Sequence, residues 1–234
     1  MYPMEMETSK PKQAEKRRRI YTFFAGLFLQ EPSPEKVPEQ RRIIQAILGE
    51  TDGTGWDADG LPGSLCQEYF DCFFVPTSGK YVPPYESALR EYSPDRPRRF
   101  GKLSGPSACH VQQCWDETGF DPKELVFFEP LQENHFPDHI GLELAFMAFL
   151  CGKEEKAGTG MGPRGEENAN RWRNFQRGFL HEHLSKLSPP LAEALRVAAP
   201  GFFARVAEAV SKWVAADLAE LASEKNGGND LHDS

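Results

Sequence analysis

Apolar residues recur along this chain at intervals of three and four, and no run of four to eight residues between turn signals alternates cleanly at period two. The first pattern lays side chains along one face of a helix, whereas a half-buried strand requires the second. An all-α protein is expected. Ile20, Phe23, Phe24, Leu27 and Phe28 form the first stripe, and Ile43, Ile44, Ile47 and Leu48 form another over 38–48. Leu65, Tyr69, Phe70, Phe73 and Phe74 make a third, with Ser64 placed as N-cap and Val75-Pro76 as its end. Over 106–117, Val111, Cys114 and Trp115 share a side with Ala108 or Cys109, and Gly119 stands where a C-terminal cap belongs. Asp121-Pro122 has the form of an N-cap followed by proline at the first helical position. A strong helix is expected over 137–150, with Ile140, Leu144, Met147 and Phe149 or Leu150 inward, and another carries Trp172, Phe175, Phe179, Leu180, Leu184 and Leu187. Ser188-Pro189-Pro190 is expected to stop that helix and cap the next, Pro200-Gly201 interrupts again, and 202–221 closes the chain.

These stripes add up to one multi-helix domain of roughly nine to eleven helices over 16–223, between polar tails at 1–15 and 224–234. Gly-rich loops fall at 49–60 and 158–168, and no repeat of 34 or 40 residues points to a solenoid. A chain of 234 residues buries a core without staples. The longest apolar stretches are about ten residues, against roughly 20 for a membrane-spanning helix, so no span is expected. The balance of 27 Lys+Arg against 35 Asp+Glu, a formal charge of -8, argues against nucleic acid and favours neutral or basic partners. Five cysteines at C-x5-C and C-x4-C spacing match neither zinc knuckle nor thioredoxin-like site; they are read as reduced core residues of a cytosolic protein. Arg17-Arg18-Arg19 before an apolar run imitates a twin-arginine export signal. The run ends at Leu29 before Gln30-Glu31-Pro32 with no cleavage site, so an amphipathic helix with a basic leader is the reading.

Catalytic motifs are scarce. Gly160-Met161-Gly162-Pro163-Arg164-Gly165 fits G-x-G-x-x-G on paper, yet it follows a helix rather than a strand and carries a proline near its centre. His135, His139 and Glu143 stand at i, i+4 and i+8, which on one helix would make a small metal-dependent hydrolase the alternative reading; Pro137 separates the two histidines. His181 and His183 point to different sides of a helix. No nucleophile elbow, phosphate loop or paired-carboxylate motif is present.

Two segments exceed what connectors need: Val82-Pro83-Pro84-Tyr85-Glu86-Ser87, and Phe136-Pro137-Asp138-His139 at the head of an apolar helix. In this order, after Phe73-Phe74-Val75-Pro76 and Gly119-Phe120, and with Ile140-Gly141-Leu142-Glu143-Leu144 next and His183-Leu184 later, they resemble the TorD/DmsD family of redox-enzyme maturation chaperones over roughly residues 17 to 215. The chain departs from that family's pattern at Phe136, where an acidic residue usually precedes the Pro-Asp-His box. The resemblance implies an all-helical cytosolic chaperone without catalytic activity, resident metal or cofactor of its own. Its partners would be the twin-arginine leader and the catalytic subunit of a molybdopterin oxidoreductase, held until cofactor insertion. It implies a peptide-binding site at Pro137, Asp138, His139 and Glu143 with Pro84, Tyr85, Glu86 and Ser87, and Phe73 and Phe74 along the apolar part. Asp138 and Glu86 would pair with the arginines, and His139 would orient Asp138. A monomer is expected, with exchange of helices through the two Gly-rich loops as a route to a dimer.

Overall fold

A computed structural model describes residues 10–50, 62–96, 98–133, 136–160 and 162–227. Among them there is no strand, only one isolated antiparallel bridge between Tyr85 and His139, so the all-α expectation holds. The helices are α1 (Lys10–Leu29), α2 (Val37–Leu48), α3 (Pro62–Phe73), the single turn α4 (Glu86–Leu89), α5 (Pro106–Thr118), α6 (Glu129–Glu133), α7 (Ile140–Gly158), α8 (Pro163–Phe179), α9 (Ser185–Ala198) and α10 (Phe202–Gly227). A π-helical turn, Leu180–Leu184, joins α8 to α9.

The core forms around α7, which is apolar on nearly every side and therefore must be covered all round. α1 lies along one flank of α7 and α8 along another, while α10 packs on α9. Tyr21, Phe24 and Phe28 of α1 meet Leu142, Leu144 and Phe146 of α7 in one continuous cluster with Phe203 and Val210 of α10. Gly141 is the residue that lets α7 begin this close to α1, since a Cβ there would stand 2.7 Å from the Leu29 side chain. The end of α1 is tied down by Tyr69, whose hydroxyl donates to the Phe28 carbonyl at 2.9 Å, and by the Phe128 amide, which donates to the Leu29 carbonyl at 2.7 Å.

The Arg17-Arg18-Arg19 run sits inside α1, not in a leader. Arg17 is buried: its Nε and second terminal nitrogen donate to the two oxygens of Asp217 at 2.5 and 2.9 Å, and its first to Glu154 at 3.3 Å. Tyr21 also donates to Asp217, and Arg173 and Gln176 complete Glu154. Four helices, α1, α7, α8 and α10, are thereby locked through one ionic cluster whose charges are all paired.

Several local expectations are corrected. α1 already begins at Lys10, within the stretch read as a tail. Ser64 falls inside α3 rather than ahead of it. α7 begins at Ile140 with His139 as its N-cap, so Pro137 and Asp138 precede the helix instead of forming its first turn. The loop expected over 158–168 is shorter because Pro163 takes the first helical position of α8; most of the 49–60 loop lies outside the described residues. Pro189 and Pro190 do not stop a helix but ride inside α9. The wide π turn just before them loosens the ladder, and the Ser185 and Ser188 hydroxyls donate to the His181 and Leu184 carbonyls at 2.9 and 2.7 Å. All five cysteines are unpaired, but only Cys72 and Cys151 are buried; Cys109 is exposed. Gly119 caps α5 at φ 72°, and Asp121 accepts from the Lys123 amide at 2.9 Å, as their spacing predicts.

Candidate functional site

The segment 82–85 runs extended past the head of α7, as its two prolines favour. The Val82 amide donates to the Cys72 carbonyl at 2.8 Å, the Glu86 amide to the Asp138 carbonyl at 2.9 Å, and the Ile140 amide to the Pro84 carbonyl at 2.9 Å. This short clip fixes Tyr85 beside His139, their rings 5.4 Å apart, with Phe136 covering Tyr85 from outside at 5.6 Å. Burial, and then Tyr81, pushes the Tyr85 hydroxyl up to about 12. His139 uses Nδ1 to accept from the Gly141 amide at 3.1 Å, capping α7.

Behind the clip lie three carboxyl groups with 0% exposure: Glu86, Asp138 and Glu143. Asp138 accepts both the amide and the hydroxyl of Ser87 on one oxygen, at 2.8 and 2.5 Å. Its other oxygen has no hydrogen-bond partner among the described residues, and burial raises its pKa against the pull of those two bonds. Glu143 lies against Glu86, and among the described residues neither of its oxygens receives a hydrogen bond. Burial first, then the charges of Glu86 and Asp138, hold its pKa well above the usual carboxylate range. A proton on Glu143 turns its repulsion with Glu86 into a hydrogen bond.

Glu86 distributes its two oxygens. One pairs with Arg90 at 2.5 Å, whose guanidinium also reaches the Glu182 carbonyl; the other faces His183 Nδ1 at 2.8 Å. His183 Nε2 in turn lies 2.7 Å from His110 Nδ1. That pair opens onto a cavity of about 910 Å³ between α5, α7 and α8. Phe146, Phe175 and Phe179 supply its apolar wall. Glu117, Glu166, Glu167 and Glu182 supply acid, against Arg171 as the one Arg or Lys among the described lining residues.

A family model described as nitrate reductase delta subunit matches residues 34–193, more than half of the chain, and takes in both the 82–87 and the 136–143 segments. The chain belongs to the nitrate reductase delta subunit family. That family is one of molybdoenzyme maturation chaperones, so the match agrees with the resemblance at the level of redox-enzyme maturation. No curated protein matches the chain.

In this delta-subunit family member the structure brings together Pro84, Tyr85, Glu86, Ser87, Asp138, His139 and Glu143, as the two sequence segments led one to expect. Their attitude differs from the expectation. The resemblance has Asp138 and Glu86 facing a leader's arginines, but both carboxyl groups are enclosed and turned to Ser87, Arg90 and His183. His139 does not orient Asp138 by a side-chain bond; its Nδ1 is spent on the cap. Pro137 is partly exposed in the turn before the cap. Phe73 packs on Phe28, Tyr69 and Phe203, and Phe74 on Tyr69, Phe70 and Phe128, so these two rings belong to the aromatic core beside α1 and α10. Of the set His135, His139 and Glu143, His135 lies outside the described residues. His181 and His183 diverge as their spacing predicts, His181 exposed and His183 buried, and the buried one, outside the expected peptide-binding set, connects Glu86 to the cavity.

No helix among the described residues is long and apolar enough to cross a membrane.

Proposed function

We propose that this protein is a cytosolic, system-specific chaperone that binds the twin-arginine leader and the apo form of a molybdenum-containing oxidoreductase subunit, assists cofactor insertion and holds back export until maturation. The observation that carries the reading is the large cavity beside the Glu86–His183 pair, with an aromatic wall and an acidic lining. An export leader offers the complementary surface, two guanidinium groups followed by an apolar run that can fold as an amphipathic helix. Apolar side chains would seat against Phe146, Phe175 and Phe179, and the arginines would meet Glu166, Glu167 or Glu182 at the solvent edge, where carboxylates cost little to keep charged. The net charge of -8 would speed encounter with a basic segment.

In this reading the clip residues act mostly from behind. Asp138 and Ser87 hold 82–87 against the head of α7, Glu86 and Glu143 fix His183 in the cavity wall, and Pro84, Tyr85 and His139 lie buried beneath Phe136 and Pro137, which give the outer face on which the leader's flank or the mature enzyme can rest. Phe73 and Phe74 stiffen the aromatic core to which 82 is tied through Cys72.

Calorimetric titration with twin-arginine leaders of molybdoenzymes, each beside its Lys-Lys counterpart, tests the reading. Micromolar or tighter binding to one leader, weakened in its counterpart and by added salt, is the expected result. Uniform silence across leaders, together with failure to capture an apo-oxidoreductase subunit, would overturn it.

A further inference from the structure

His110, Cys114 and His183 bring two imidazoles and a thiol within 4.8 Å of one another, and all three line the same cavity. His110 and Cys114 are one turn apart on α5, and His183 reaches them from the π turn, a helical irregularity that recurs at functional sites. We propose that these three side chains form a binding site for a zinc-type divalent transition metal, with a fourth coordination position open to the cavity.

The strongest support is the carboxyl group behind His183. Glu86 faces Nδ1 at 2.8 Å and accepts a hydrogen bond from that ring N–H, so the Nε2 lone pair points outward to His110 and Cys114. A buried carboxylate on the far nitrogen is the usual outer support of a metal-binding imidazole, and Arg90 keeps Glu86 in place. Two nitrogens and one sulfur suit a borderline-soft ion, and three protein ligands with one open position is the pattern of non-structural zinc sites. Tetrahedral zinc at ordinary bond lengths needs its nitrogens roughly 0.6 Å further apart than the 2.7 Å between the two rings. His110 is on the exposed side of α5, where a side-chain rotation supplies that opening. A second grouping, Glu86, Glu143 and His183, uses the inner nitrogen of the same imidazole and is wholly buried; neither glutamate lines the cavity, so it acts as support rather than as a ligand set.

Binding replaces a hydrogen bond. Without metal, His110 Nδ1–H donates to His183 Nε2; with metal, His110 carries its proton on Nε2 instead and Cys114 releases its thiol proton, one proton per ion. The site stands whatever molecule fills the cavity.

Cobalt(II) and zinc(II) titrations of the full-length, chelator-stripped protein provide the test. One equivalent of cobalt should bind with a thiolate-to-metal charge-transfer band and intense tetrahedral visible bands, both removed by zinc. Cys114→Ser should abolish the charge-transfer band, and His110→Ala should weaken binding by at least the roughly 10–100-fold that loss of an outer support costs. Cys109→Ser, at an exposed neighbour outside the cluster, should leave the spectrum unchanged. Circular dichroism and melting of each variant separate lost ligands from lost fold, and His110, being exposed, can be replaced without disturbing the core. No stoichiometric cobalt binding, a charge-transfer band that survives Cys114→Ser, or full affinity in folded His110→Ala would overturn the proposal.

Discussion

Three consecutive arginines offer a direct test of how burial sets the worth of a charge. Arg17 is enclosed and serves Asp217 and Glu154, Arg18 meets Glu155 with 39% and 27% of the two side chains exposed, and Arg19 pairs along the helix with Glu15 at the surface. Arg17→Met keeps most of the packing volume but strands Asp217, which among the described residues retains only the Tyr21 hydroxyl; Glu154 still has Arg173 and Gln176. Breaking a buried pair from one side costs about 3–5 kcal/mol, because an uncompensated charge stays behind. For a domain of this size each kcal/mol moves the melting temperature by about 2–4 °C, so the variant should melt about 6–20 °C lower. Arg18→Ala should cost less than about 1 kcal/mol and Arg19→Ala about half of that or less. Adding Asp217→Asn to Arg17→Met removes the stranded charge and should recover part of the loss. Urea denaturation of the four proteins reads these differences directly. A loss for Arg17→Met no larger than that for Arg18→Ala, or no recovery in the double variant, would refute the assignment of Arg17 as a structural cation.

Other outcomes follow from the buried carboxyl cluster and the head of α7. Glu143→Gln should gain stability over the wild type as pH rises. A folded-state pKa above the unfolded one means the folded chain holds the extra proton, so the contribution of Glu143 to stability falls from about pH 4 upward while the amide is indifferent; equal pH profiles for the two proteins would contradict this. Ser87→Ala removes the 2.5 Å bond to Asp138 and should cost about 1–3 kcal/mol in denaturation. Gly141→Ala drives a Cβ to 2.7 Å from Leu29 and should cost about 1–3 kcal/mol, most of it relieved in a Leu29→Ala background; an additive double variant would show that the two do not meet.

The fold was legible wherever one apolar stripe meets one core. α10 begins where periodicity puts it, α7 covers the expected stripe but runs from Ile140 on to Gly158 rather than from 137 to 150, and Gly119 and Asp121 cap as their types require. The departures share a cause, in that each depends on what packs nearby. Arg17 looks like a surface cation until Asp217, two hundred residues later, arrives beside it. Pro189 and Pro190 look like a stop until a π turn widens the helix ahead of them. The clip between 82–87 and 136–143 was visible as two odd segments, but the orientation of Asp138 and Glu86 was not, because one-dimensional spacing cannot tell a carboxylate offered to solvent from one turned inward. His110 and Cys114 had no signal at all in relation to His183, since the spacing that unites them is a cross-helix contact.

The most direct test of the cavity as the leader-binding surface is hydrogen exchange of the protein alone and with a saturating twin-arginine leader. Slowed exchange should concentrate in α8 and in the π turn that carries His183, with the segment 84–87 behind it following. Slowing confined to α2 and α10, with α8 unchanged, would contradict it.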